Sequence, residues 1–164
     1  MEEKKRFVIQ RHTRQDEPAH WDLMLESEGI LETYRIGKPP EEWLKQATYD
    51  IETAECLFNN GRYSFAVFTC HLAVEKALKG AFARRLADIP PYTHSLVYLR
   101  TRAKVELPAD LADFLSALDQ VSVPTRYPEE LDRLLRDYDR AKTENIVRRS
   151  RRVVEWVSRE LSKS

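Results

Sequence analysis

Ser64-Phe65-Ala66-Val67-Phe68-Thr69-Cys70-His71-Leu72-Ala73-Val74-Glu75-Lys76-Ala77-Leu78-Lys79-Gly80 is the stretch that decides the fold of this chain. Ala66, Cys70, Ala73, Ala77 and Ala81 recur at spacings of four, three, four and four, so five small side chains share one side of a helix. Phe65, Phe68, Leu72 and Leu78 stand beside them. So little bulk along one face lets a second helix approach closely. Asn60-Gly61-Arg62-Tyr63 reads as a turn, and the segment before it has a similar pattern, so the unit is a helical hairpin.

Working outward, Trp43, Ala47, Ile51, Ala54, Leu57 and Phe58 define the apolar face of the first helix, which Pro39 or Pro40 suits at its start and which ends near Asn59. The second helix runs from about Tyr63 to Leu86, and Asp88-Ile89-Pro90-Pro91-Tyr92 forces an irregular connection. Shorter helices are expected over Ser95 to Ala103 and Pro108 to Val121. Val123-Pro124-Thr125-Arg126-Tyr127-Pro128 makes a further loop, and a last helix runs from about Tyr138 to Leu161 with Ile146, Val153, Val157 and Leu161 on its core face. The chain has no internal repeat or low-complexity tract.

Upstream, Gly37-Lys38-Pro39-Pro40 marks the change from strand-like composition to helical periodicity, dividing the chain into a β-rich segment, 1–38, and a helical domain, 39–164. Arg6 to Gln10, His20 to Glu26 and Ile30 to Ile36 read as strands, with Glu28-Gly29 a turn between the last two. A small β meander followed by a mainly α domain is the expected architecture. Three short strands are marginal alone and must bury one face against something.

The 164 residues, 42% hydrophobic and 33% charged, suit one compact domain with an appendage. Lys+Arg and Asp+Glu both total 27, so the formal charge is zero, which argues against broad electrostatic capture of nucleic acid and makes any anion site local. Cys56 and Cys70 fall in apolar helix patterns with no Cys-x-x-Cys pair and read as reduced, buried thiols. There is no run of about 18 apolar residues and no signal-peptide core after Met1-Glu2-Glu3-Lys4-Lys5-Arg6, so a soluble, cytoplasmic protein without a membrane partner is expected.

Chemistry could reside in several places. His12, His20 and Asp22 fall within eleven positions, and His20 and Asp22 project to one face of a strand. Imidazole and carboxylate donors suit Mn²⁺ or Zn²⁺, which can polarise a phosphoryl oxygen or activate water; the alternative is a set of surface polar groups on a half-exposed sheet. His71 reads as a partly buried, hydrogen-bonded histidine, and His94 either braces the third helix or sits at a cleft edge. Arg126 and Tyr127 of the proline loop, with Tyr138, could offer a guanidinium and aromatic faces to a nucleotide, or simply pack. Arg148, Arg149, Arg151 and Arg152 form the densest basic cluster, with Arg148, Arg152 and Arg159 opposite the core face. They are either a solvated helix face or a patch for RNA phosphates or an acidic partner.

The Trp-led helix, the Asn60-Gly61-Arg62-Tyr63 turn and Ala73-Val74-Glu75-Lys76-Ala77-Leu78-Lys79 resemble the HEPN family, named for nucleotide-binding domains of higher eukaryotes and prokaryotes. Pro91-Tyr92-Thr93-His94-Ser95-Leu96 with Leu99, Thr125-Arg126-Tyr127-Pro128, Tyr138 and Val153-Val154-Glu155-Trp156-Val157 follow in the family's order, so the resemblance runs from about Glu41 to the C-terminus. It implies an up-and-down bundle of four to five helices that usually dimerises and that works beside a small nucleotidyltransferase or acts as an RNase. The family's RNases pair an Arg with a His after four to six residues near the start of the last helix. Here no histidine follows His94, and the formal matches Arg6/His12 and Arg14/His20 lie in the strand segment.

A second resemblance covers residues 6–40. Phe7-Val8-Ile9-Gln10-Arg11-His12, His20-Trp21-Asp22-Leu23-Met24-Leu25-Glu26 and Gly29-Ile30-Leu31 look like the opening of the 3′-phosphoesterase module of bacterial DNA ligase D. In that family the positions matching His12, His20 and Asp22 bind Mn²⁺. Met24 stands where the family has a basic residue and the rest of its barrel has no counterpart, so the resemblance implies a degenerate fragment. The HEPN resemblance, taken without the Arg/His pair, implies a non-catalytic nucleotide- or partner-binding protein, dimeric, and paired with a nucleotidyltransferase in a toxin-antitoxin-like system. The alternatives are a metal-dependent phosphoesterase or nuclease using His12, His20 and Asp22, and a strand segment that extends a partner's sheet.

Overall fold

The computed structural model describes residues 7–14, 17–27, 30–121 and 135–163. Two compact units divide the chain, Met1–Lys38 and Pro39–Ser164.

The first unit is an antiparallel sheet of β1 (Phe7–Arg14), β2 (Glu17–Ser27) and β3 (Ile30–Ile36), in the order β1-β2-β3. Both strands of the first hairpin extend further than their apolar cores suggest, because the ladder continues through Arg11↔Trp21 and His12↔His20 before its register shifts ahead of Arg14. Alternation gives the sheet two unlike faces. Ile9↔Leu23↔Tyr34 and Phe7↔Leu25 fall on one, and Gln10↔Asp22↔Arg35 and Met24↔Thr33 on the other. Phe7, Ile9, Leu25 and Ile30 are exposed.

The second unit begins with α1 (Pro40–Asn59), whose fixed proline φ and first-turn Glu41 and Glu42 suit a helix N-terminus. At its far end the amides of Gly61 and Arg62 donate to the carbonyls of Phe58 and Leu57 at 3.0 and 2.9 Å, closing the helix. Gly61 turns the chain at φ 71°, a conformation that a side chain would strain. Then α2 (Tyr63–Leu86) returns antiparallel and stops at Ala87, itself left-handed at φ 49°. Two short helices follow, α3 (Leu96–Arg102), capped by the Ser95 hydroxyl, and α4 (Ala109–Asp119). The last, α5 (Arg140–Ser162), is capped by Asp139, whose carboxylate accepts from the Lys142 amide at 2.8 Å.

The small-residue face of α2 sits in the core as its spacing predicts: Ala66, Cys70, Ala73, Ala77 and Ala81 are all fully buried, with Ala47, Ile51, Ala54 and Phe58 of α1 in the same cluster. The helices approach so closely at Gly80 that an added Cβ would lie 3.2 Å from Trp43 Cβ and 3.3 Å from the Pro40 carbonyl oxygen. Val147, Val153, Val154, Val157 and Leu161 of α5 and Leu96, Leu99, Leu111, Phe114, Leu115 and Leu118 of α3 and α4 complete the core. Three expectations are corrected. Phe65 points to solvent, 61% exposed, because it lies a quarter-turn from the alanine stripe. Cys56 is exposed, lying across the helix from Ala54 and Phe58, and only Cys70 is a buried thiol, pushed up to about 12 chiefly by burial. On α5 the buried stripe is centred on Val147 and Val154, leaving Ile146 at its margin. Ala77→Leu should therefore overpack the α1–α2 contact and lower stability by about 1–3 kcal/mol. Phe65→Ser should change it by less than about 0.5 kcal/mol; urea unfolding of both variants checks the contrast.

Candidate functional site

Three polar residues on α2 repeat at intervals of four: His71, Glu75 and Lys79. All three are buried. Residues four apart lie one above another on a helix, so together they make a polar seam along α2. Glu75 is its centre. One carboxylate oxygen, Oε1, accepts from Lys79 Nζ at 2.7 Å, while Oε2 lies 2.9 Å from His94 Nδ1. The His71 ring reaches between two carboxylates, with Nδ1 3.9 Å from Glu75 Oε2 and Nε2 3.9 Å from Asp119 Oδ1.

Asp119, the last residue of α4, fastens the start of α3. Its Oδ1 accepts the Leu96 amide at 2.6 Å and its Oδ2 accepts the Ser95 hydroxyl at 3.1 Å. The Ser95 oxygen in turn accepts the Tyr98 amide at 3.3 Å, which satisfies an otherwise unpaired donor of the first turn. On the α1 side, Lys79 Nζ lies 5.7 Å from the Trp43 ring centre, and Lys76 Nζ pairs with Asp50 Oδ2 at 2.6 Å. Chain reversal at Ala87 and Pro90-Pro91 delivers His94, whose side chain is 49% exposed, to the mouth of this seam. Tyr92 beside it is almost wholly exposed, with ring centres 6.2 Å apart.

Burial pushes the Glu75 carboxyl up, but the hydrogen bonds and charges of Lys79 and His94 outweigh it and hold the group below the ordinary carboxylate range. Glu75 thus remains charged in the core. It can orient an imidazole at the surface and fix an ammonium beneath it. His94 therefore braces the connection through Glu75, and the cap of α3 is Ser95.

The remaining candidates are spread elsewhere. Arg126 and Tyr127 lie outside the described residues. Tyr138 is buried against Val67 beneath Lys142, whose Nζ is 4.9 Å from the ring centre; burial, then Asp137, raises its phenol. On α5, Arg148 is exposed and donates to Asn145 Oδ1 at 3.2 Å, and Arg152 pairs with Asp110 Oδ2 at 3.0 Å. Arg149 lies over the Phe114 ring, and Arg151 grips Glu55 of α1 with both arms. Much of the basic cluster thus ties α5 to α1 and α4. Cross-strand register sets His12 opposite His20, and Asp22 two positions further along β2, so the three positions fall on one sheet face. Spacing alone does not draw attention to Glu75, Lys79 and Asp119, although two charges four apart inside an apolar run are a signal of a buried pair.

The HEPN domain model matches residues 40–161. The chain belongs to the HEPN family. Solved structures agree: the HEPN protein is similar to TT1696 from Thermus thermophilus, at 29% identity and a TM-score of 0.62 over 73% of this chain and 96% of that one. It is similar also to ST0689, an archaeal HEPN homologue, at 28% identity and a TM-score of 0.63, covering 76% and 98%. A HEPN domain protein from Thermotoga maritima, TM0613, shares the fold at 23% identity with a TM-score of 0.58, covering 75% and 99%. Among curated proteins none matches significantly. The family match begins at residue 40, and none of these comparisons supports the ligase D resemblance of residues 6–40.

Glu75→Gln would leave Lys79 with no carboxylate on its hydrogen-bonded side, so stability at pH 7 should fall by roughly 3–5 kcal/mol. A carboxyl held low in the folded state contributes stability above its unfolded value, about 4.3, that is lost as pH falls through the lower folded value. The urea midpoint of the unmodified protein should accordingly drop at the acid end, and the drop should be shallower in Glu75→Gln.

Proposed function

We propose that this HEPN protein is a non-catalytic, cytoplasmic module that binds a nucleotide or a protein partner, acts as a homodimer, and pairs with a nucleotidyltransferase in a toxin-antitoxin-like arrangement. The observation that supports this reading is the state of its histidines. None follows His94 in the sequence, so α5 cannot supply the Arg/His pair of the family's RNases. Within the helical domain, His71 is closed off between Glu75 and Asp119, and Nδ1 of His94 is held by Glu75.

Arg148 and Arg152 are the binding residues best placed for an anionic partner, since both are exposed on α5. The Asp110 partner of Arg152 is exposed too, and an ion pair in water contributes only about 0–1 kcal/mol, so a phosphate or an acidic side chain could displace it. His94, Arg126 and Tyr127 complete the proposed set, and Tyr138, buried against Val67, supports it by packing rather than by offering a ring face to a ligand. End-labelled single-stranded RNA should stay intact with the protein, and fluorescence anisotropy should show any binding weakened by Arg148→Glu and Arg152→Glu and by added salt. RNA cleavage that disappears in His94→Ala would contradict the non-catalytic reading.

The cross-strand pairing of His12 with His20 favours a second reading, a metal-dependent phosphoesterase site in the β unit. Two imidazoles and the Asp22 carboxylate fit Mn²⁺ or Zn²⁺, and such an ion would polarise a phosphoryl oxygen. Titration calorimetry with MnCl₂ or ZnCl₂ should then give a binding heat that His20→Ala, Asp22→Ala removes. An athermal titration at several temperatures would count against this reading.

A further inference from the structure

His71 is fully buried, yet each ring nitrogen faces a carboxylate oxygen at the same separation, 3.9 Å, Glu75 on one side and Asp119 on the other. Ionised carboxylates only accept hydrogens. A neutral imidazole carries one N–H and would turn a lone pair towards one of the two; an imidazolium presents N–H to both. The surrounding charges favour the imidazolium too. Among the described residues, α2 contributes Glu75 and Lys79 to this core and α4 contributes Asp119; Glu75 is met by Lys79 and by His94, and the negative charge left over is that of Asp119, whose hydrogen-bond donors, the Ser95 hydroxyl and the Leu96 amide, are neutral. Asp50 of α1 and Lys76 of α2 cancel each other. The connection before α3 brings His94, half in solvent, and the neutral Ser95 hydroxyl. The buried face of α5 is Thr143, Ser150 and aliphatic residues, with no charge among them.

We propose that His71 is an imidazolium in the folded protein at neutral pH, so that assembling the α2–α4 polar core takes up a proton and the core loosens in alkali. Burial of a charged ring opposes this, while two facing carboxylates in a solvent-excluded site favour it. With the compensating ammonium of Lys79 directed at Oε1 of Glu75, Oε2 and Asp119 are left to the imidazoles. The connection to function is mechanical. Asp119 holds the first turn of α3, so losing the His71 charge leaves the Asp119 carboxylate uncompensated beneath the loop that presents His94 and Tyr92.

A histidine whose folded value is raised above the ordinary one, about 6.5, stabilises fully below that pH, and the contribution is lost as pH rises through the folded value. In the full chain the unfolding equilibrium constant should therefore climb above pH 6.5 by up to about tenfold per pH unit. His71→Gln should flatten that climb, and His94→Gln, at the exposed ring, should keep it. Ring ¹⁵N and ¹³C shifts of the unmodified, isotope-labelled protein provide a readout independent of whether His71→Gln folds. An imidazolium signature for His71 at pH 7 supports the proposal. A neutral tautomer at pH 7, or the same pH slope in His71→Gln as in the unmodified protein, overturns it.

Discussion

The close approach of α1 and α2 is the constraint on which the rest of this protein is built. It exists because Ala66, Cys70, Ala73, Ala77 and Ala81 offer no bulk, and because Gly80 leaves no room between the α2 backbone and Trp43. Apolar area buried by alanines is small per residue, so the gain comes from backbone proximity and from what that proximity brings into reach. Lys76 meets Asp50, and Lys79 lies by the Trp43 ring, only because the two helices are near.

With α1 and α5 packed against it, α2 has almost no solvent face left between Cys70 and Phe82 for its polar seam. Buried nearly all round, it must satisfy Glu75 and Lys79 internally, since an unpaired charge in the core would be far more costly than a lost surface contact. The 88–95 connection and α4 supply the missing partners, His94 and Asp119, and Asp119 at the same time fixes the entry to α3. Thus the same residues that neutralise α2 also position the short helices. By contrast α5 lays one largely aliphatic stripe against α1 and α2, with arginines that clamp Glu55 and Asp110.

Much of this is legible in the sequence. Small residues at helical spacing indicate α1 and α2, the prolines mark the connections, and the order of short motifs points to the family. What escapes is mostly rotation and partnership. Periodicity tolerates a shift of one residue, which is why Ile146 reads as inward when Val147 is the buried neighbour, and why Phe65 and Cys56 read as part of faces they do not occupy. The polar seam is harder still, because His71, Glu75 and Lys79 fit a solvated helix pattern as well as a buried one. Only the return of His94 and Asp119 from elsewhere in the chain distinguishes the two, and pairings between residues 19 and 48 positions apart leave no trace in local spacing. In the β unit the spacing of His20 and Asp22 is visible, whereas their alignment with His12 depends on a register that only the ladder defines.

Native-state hydrogen exchange tests the primacy of the α1–α2 contact most directly, because it ranks the opening free energy of each amide in the intact chain. Amides of α1 from Ala47 to Ala54 and of α2 from Ala73 to Gly80 should exchange only by global unfolding, converging on one denaturant dependence, with α3 opening at or below that level. Exchange of these α2 amides through a smaller, sub-global opening while α3 and α4 stay protected would contradict the account.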